Sequence, residues 1–247
     1  MLPLYSAFAL IIMMTCAWII YVIIKNSSII DCFWSLGFIL TSSIYLLPAN
    51  TTTAWVVWTM ILIWSLRLFI YLFITRILTG HIEQRYGSPA STSVFYFWLN
   101  FIFQGILIFI LTYPLYLFSI KSDFNISHVT LIIFSCLQLL AIAAETISDL
   151  QLYRFRQQNQ QSTCNTGLWY YSRHPNLFFD WLFWTLIALE IYSATHTAII
   201  TSILLYVVMN HLTIPITERQ SLKRKGKDFE RYQLSTSRFF LWFKKHG

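Results

Sequence analysis

The sequence predicts an all-α integral membrane protein, a seven-helix bundle with its N-terminus outside and its C-terminus in the cytosol. Three observations predict it. Seven apolar runs of about 17–26 residues are each long enough to cross a bilayer at 1.5 Å per residue. Only 11% of the 247 residues are charged and 57% are hydrophobic, against roughly 25% charged in a soluble domain. The basic residues fall almost entirely on one side of the alternating connections. With 10 Trp, 14 Tyr and 21 Phe but only 7 Gly and 6 Pro, the chain is neither disordered nor collagen-like. The net charge of +7 is an orientation signal here, not the footprint of a nucleic-acid partner.

The expected spans are 4–24, 29–48, 53–77, 93–119, 128–148, 176–193 and 196–215. The first begins almost at Met1, without a basic leader or a small-residue cleavage site, and is expected to be retained. The fourth carries Pro114, where a kink is expected. The last two are joined by a short loop near Ser193. In this arrangement Lys25, Arg76, Arg85, Arg154, Arg156, Arg173 and the nine Lys and Arg after residue 215 lie inside, and only Lys121 lies in an outer loop. The long connections 76–92, 149–175 and 216–247 are therefore cytosolic, and connections of that length in a compact protein are usually functional. The whole chain, 1–247, reads as a single transmembrane domain. The four cysteines form no CxxC pair, so neither a zinc site nor a disulfide framework is expected, and no metal is called for.

Five charged residues lie in or at the ends of spans: Asp31, Arg67, Glu145, Asp180 and Glu190. A charge in hydrocarbon costs about 2.5–3.5 kcal/mol on insertion scales, so such residues face the bundle interior and serve either function or an ion pair. On the structural reading Arg67 with Asp31 would be one such pair; Glu190, near the outer end, is expected to reach headgroups. The 149–175 connection is the richest in chemistry. Asp149 and Arg156 are seven apart and share a helix face. Pro175 suits the first turn of the sixth helix. Asn176 and Asp180 are four apart on one face. Arg173, His174, Asn176 and Asp180 thus gather where a helix begins, a natural place for an anion or a cofactor head group. The alternative is a basic membrane anchor with an aromatic belt at Trp169, Tyr170 and Tyr171. The tail, with Lys223, Arg224, Lys225, Lys227 and Arg231, reads either as a segment lying on anionic lipid or as a lid over a polyanionic ligand. There is no GxGxxG, P-loop, HExxH or GxSxG.

The block Gly167-Leu168-Trp169-Tyr170-Tyr171-Ser172-Arg173-His174-Pro175-Asn176, followed by Asp180, resembles the C-terminal signature of the steroid 5-alpha-reductase family. It is most similar to the bacterial membrane proteins that carry that domain, here spanning 149–247. Supporting pieces are Asp31-Cys32-Phe33-Trp34-Ser35-Leu36-Gly37-Phe38, Arg67-Leu68-Phe69-Ile70-Tyr71 with Arg76, the run Glu145, Asp149, Gln151, Phe155, and the tail pattern Glu218-Arg219, Lys225-Gly226-Lys227, Tyr232, Ser237-Arg238-Phe239 and Trp242. The resemblance implies NADPH bound from the cytosolic side of a bacterial inner membrane. It implies hydride transfer to an enone-like C=C bond of a steroid-like or other isoprenoid or lipid substrate. It carries Arg67, Asp149, Arg156, Asn176 and Asp180 over as cofactor contacts, with Arg173, His174, Arg219 and Tyr232 as further ones. Asp31 falls near the family's catalytic glutamate, where a protonated buried carboxyl would donate to the developing oxyanion. The family's Gln-Glu pair is Ile30-Asp31 here, and its third-helix tyrosine corresponds to Trp64, which can donate a hydrogen bond but not a proton. The Arg-His-Pro block also resembles isoprenylcysteine carboxyl methyltransferases, which gives a SAM-dependent methyltransferase as the alternative enzyme. A lipid-binding protein without catalysis is the third class.

Overall fold

The computed structural model describes residues 1–80, 94–121, 126–159 and 162–244. Arg85 and most of the expected 76–92 connection lie outside the described residues, as does Asn125. Among the described residues all regular structure is helical. Six helical stretches are long and apolar enough to cross a membrane: Leu2–Ile24, Ile29–Ala49, Thr52–Leu78, Phe95–Ser119, His128–Gln158 and Ala198–Lys225. The expected sixth span, 176–193, is instead a 16-residue helix, Pro175–Glu190, followed by turns. At 1.5 Å per residue that helix is about 24 Å long, short of the roughly 30 Å hydrocarbon core.

The described chain divides into two compact units. The first comprises Met1–Ser135 and Leu189–Thr201. It contains α1 (Leu2–Ile24), α2 (Ile29–Leu46), α3 (Thr52–Leu72) and α4 (Val94–Ser119). The central element is α2, which packs on α1, α3 and α4. Its sequence explains this. Ser35, Gly37, Thr41 and Ser42 are small and buried, and small residues let membrane helices approach closely. A Cβ on Gly37 would lie 2.6 Å from Ile108 Cδ1 of α4. The hydroxyls need no partner helix: Ser35 donates to the Cys32 carbonyl at 2.8 Å and Thr41 to that of Gly37 at 2.9 Å. Phe38 and Trp64 meet edge to face with ring centroids 5.3 Å apart, and Ser6 is hydrogen-bonded to Tyr45. Pro114 lies inside α4. The Leu111 carbonyl, three residues before it, accepts the Thr201 hydroxyl at 3.0 Å.

The second unit comprises Cys136–Ala188 and Ser202–Gly247. Most of α5 (His128–Gln158) belongs to it, and this helix runs ten residues past the expected end at 148. Then come a 3-10 turn at Gly167–Tyr170, α6 (Pro175–Glu190), α7 (Ala198–Val208), α8 (Ile214–Lys225) and α9 (Lys227–Ser235). A π-helical turn, Met209–Thr213, joins α7 to α8, so the helix does not stop at 215. Pro215 has no N–H to donate back into that turn, and the Asn210 carbonyl within it accepts Arg238 Nη2 at 2.7 Å. α6 and α7 are tied by Thr185 Oγ1 to Ser202 Oγ at 2.6 Å and by the Trp181 indole N–H to the Ser202 carbonyl at 3.1 Å.

Candidate functional site

Asp149 is buried on α5, and its Oδ1 accepts Asn176 Nδ2 from the first turn of α6 at 3.1 Å. Residues 27 apart are thereby joined, and α6 begins at Pro175, as the sequence predicts. A carboxylate only accepts, so the amide orientation of Asn176 is settled by Asp149. Its other atom, Oδ1, is buried and has no hydrogen-bond partner among the described residues. A buried acceptor without a donor costs about 1–3 kcal/mol, and such an atom calls for a ligand or a water. Asp180 stands one turn further along α6, half-buried. Arg156 is exposed and two helical repeats along the Asp149 face of α5; Arg219, on α8, is exposed as well.

The residues just before Asn176 are held by the tail. Arg173 Nε donates to Glu218 Oε1 at 2.7 Å, and its Nη1 donates to the carbonyls of Gln233 and Thr236 at 2.7 and 2.9 Å. The Arg173 backbone N–H donates to the Ser237 carbonyl at 2.8 Å. The Ser172 hydroxyl donates to the Phe239 carbonyl at 2.8 Å and receives the His174 N–H at 3.1 Å. His174 Nε2 lies 3.1 Å from Glu218 Oε1, and Gln233 Nε2 donates to Glu218 Oε2 at 2.8 Å. Glu218 is the hub: three side chains from two elements converge on one buried carboxylate. Burial holds the His174 imidazole below its ordinary value, while Glu218 pulls the other way. The neutral ring therefore carries its proton on Nε2 and donates it to Glu218.

Tyr232, on α9, closes the same corner. Its hydroxyl donates to the Trp169 carbonyl at 2.5 Å, with the Ser172 carbonyl 3.1 Å away. Burial pushes this phenol up, so it remains a donor. The Trp169 indole N–H donates to the Ser148 carbonyl at 2.9 Å, one residue before Asp149. Gly167 is required locally. It has φ +60°, and a Cβ there would fall 2.5 Å from the Gln151 amide, whose Oε1 accepts the Leu168 N–H at 3.0 Å.

Of the residues the sequence singles out, Asp149 and Asn176 are thus in contact. Arg173, His174 and Tyr232 are engaged within the chain, where they dock the tail. The sequence reading did not single out Glu218 as a site residue. The available signal was an acid at the head of a strongly basic tail, with an Arg-His pair elsewhere needing a partner.

Asp31, Trp64 and Arg67 belong to the first unit. Asp31 forms an ion pair with Arg76, from the π-helical turn that ends α3. That contact ties the carboxyl expected to serve as a proton donor to the turn at the end of α3. The Arg76 carbonyl accepts Asn26 Nδ2 at 3.4 Å, and the loop residues Asn26, Ser27 and Ser28 are buried beside it. Trp64 is buried in the core against Phe38. Arg67 is half-buried, its guanidinium carbon 5.9 Å from the centre of the Tyr71 ring.

The family model described as "Protein of unknown function (DUF1295)" matches residues 17–236. The chain belongs to that family, which lies in the steroid 5-alpha-reductase-like group. No curated protein and no solved structure matches it significantly.

Proposed function

We propose that this DUF1295 member is a membrane-embedded reductase that uses NADPH to deliver hydride to an activated, enone-like C=C bond of a steroid-like or other isoprenoid lipid. The observation that carries the reading is the Asp149–Asn176 pair with its one buried, unsatisfied acceptor. A carboxamide N–H₂ or a ribose hydroxyl of a dinucleotide is the kind of donor that acceptor lacks. The exposed guanidinium groups of Arg156 and Arg219 fit its phosphates. Asp180 completes the polar set on α6. When bound, NADPH supplies the hydride.

The chain's own residues then have separate tasks. Asp149 fixes the Asn176 amide by accepting from it. Glu218, Arg173, His174 and Tyr232 hold the Ser172–Asn176 corner in place and so position the site; Arg173, His174 and Tyr232 enter as cofactor contacts through the family resemblance alone. Arg67 and Trp64 enter the reading through the family resemblance, Trp64 as a hydrogen-bond donor to developing charge. Asp31, paired with Arg76, fixes the inner end of α3. Seven crossings, an outer N-terminus and a bacterial inner membrane with the cofactor side in the cytosol complete the proposal. They rest on the six apolar helices, the shorter α6 and the inner excess of basic residues.

The test is NADPH binding by the purified protein, read by thermal shift and nucleotide fluorescence. Asn176→Leu should weaken binding about tenfold, one lost hydrogen bond; because it also removes the donor to Asp149, binding is compared well below the melting temperature of the variant apoprotein. A thermal shift with S-adenosylmethionine and none with NADPH would overturn the reading in favour of a methyltransferase. No response to either favours a non-catalytic lipid-binding protein.

A further inference from the structure

The last described residues follow two polar helices, α8 and α9, yet they are aromatic and stand out from the protein. Trp242 is 70% exposed and Phe243 74%. Their backbone is nevertheless fixed. The Trp242 N–H donates to the Tyr171 carbonyl at 3.0 Å, the Phe243 ring lies 5.9 Å from that of Tyr171, and the Lys244 ammonium sits 4.4 Å over the Tyr170 ring. Phe239, three residues earlier, is buried in contact with Phe178, Trp181 and Tyr206. So the strap at 236–244 is pinned at both ends, and Trp242 and Phe243 project because they are held that way. Exposed Tyr170, Tyr171, Trp242 and Phe243, from segments some seventy residues apart, form one aromatic patch.

The charge beside that patch is one-sided. Along α8, α9 and the strap, Lys223, Arg224, Lys227, Arg231 and Arg238 are exposed cations apart from those assigned to the cofactor, against the exposed anions Asp228 and Glu230. Asp228 is partly engaged, accepting the Thr163 N–H at 2.7 Å. Aromatic side chains with a polar end favour the headgroup level of a bilayer, and exposed cations next to them favour anionic lipid over neutral lipid.

We propose that the strap and α9 are a docking surface for the anionic face of the bilayer, with Trp242 and Phe243 inserted at headgroup depth and the exposed cations on lipid phosphates. The surface is separate from the Asp149–Asn176 pair, and the proposal does not depend on the reductase reading. It makes the tail an anionic-lipid reader, because the same strap backbone accepts Ser172 and Arg173. Seating the strap on lipid therefore steadies the corner that carries Asn176.

The experiment uses the full-length protein, one copy per nanodisc, in phosphatidylcholine with or without phosphatidylglycerol, the acyl chains brominated. The readouts are the quenching lost on Trp242→Phe and the rate of tryptic cleavage after Lys227 and Arg231. The expected result is Trp242-specific quenching in the phosphatidylglycerol discs, with cleavage slowed about tenfold and the protection removed by high salt. A Lys223→Gln, Arg224→Gln variant, whose changed side chains are exposed and which keeps both cleavage sites, should lose the dependence on phosphatidylglycerol. Equal quenching and equal cleavage in the two lipids would overturn the proposal. So would protection that appears only when two copies share a disc, since the strap would then be an interface between copies.

Discussion

Glu218→Ala puts the tail clasp to its most direct test. The carboxylate accepts from Arg173 Nε at 2.7 Å and Gln233 Nε2 at 2.8 Å, with His174 Nε2 at 3.1 Å. The paired side chains are only 10% and 11% exposed. Removing one partner of a buried pair costs about 3–5 kcal/mol, because the other charge is left without compensation. Here Arg173 keeps two carbonyl acceptors, Gln233 and Thr236, which places the expected loss at the lower end, about 3 kcal/mol. For a chain of this size that is a fall of about 6–12 °C in melting temperature. Thermal unfolding of the purified protein, followed by tryptophan fluorescence, gives the value. The double mutant Glu218→Ala, Arg173→Met removes both charges and should be less destabilised than the sum of the two single changes by more than about 1 kcal/mol. A loss under about 0.5 kcal/mol for Glu218→Ala, or strict additivity in the cycle, would refute the clasp.

Gly167→Ala forces a Cβ into a φ of +60° and against Gln151 at 2.5 Å, so it should cost about 2–3 kcal/mol by thermal unfolding, more than the conformation alone would. His174 has a folded value below 6.5, so on acidification the unfolded chain takes the proton first. The stability it contributes is fully present above the unfolded chain's ordinary value of about 6.5 and is lost as pH falls from there through the lower folded value. Melting temperature should therefore drop on acidification, and His174→Gln should flatten that part of the profile; an unchanged profile would contradict the burial argument. Arg76→Gln leaves the Asp31 carboxylate half-buried without its guanidinium and should cost about 3 kcal/mol, with Asp31→Asn in the same chain recovering part of it. Arg238→Met removes the donor to the Asn210 carbonyl and should cost about 1 kcal/mol. Pro215→Ala should reduce that cost by restoring an N–H near the π turn.

The apolar helices were legible because period and length alone decide them, and five of the expected spans agree with helices within a few residues apart from the long extension of α5. Boundaries failed where a helix continued into polar sequence. α5 runs on to Gln158 and α7 passes through a π turn into α8, since a helix ends where its hydrogen bonds end, not where hydrocarbon does. Asp149 and Asn176 were each legible as polar residues near the facing ends of two predicted helices, but their pairing was not, since nothing in the sequence fixes how those ends meet. What sequence could not supply was the partner of Arg173. Its run Ser172-Arg173-His174 looks like a ligand site when read locally, and the carboxylate that neutralises it lies 45 residues on. Asp31 poses the same problem: its partner Arg76 lies 45 residues on and reads in the sequence as an orienting charge and as part of the third-helix motif.

That difference changes what the basic tail is for. Consecutive residues of the corner are each fastened to it: Ser172 to Phe239, Arg173 to Glu218, Gln233, Thr236 and Ser237, and His174 to Glu218. Only at Asn176 does the attachment switch to α5, through Asp149. A donor or acceptor is useful to a ligand only if its own position is fixed beforehand, and that fixing is done by the residues behind it. The tail therefore acts on the site through three residues of loop, and a change more than forty residues away in sequence, at Glu218, reaches Asn176 without touching it.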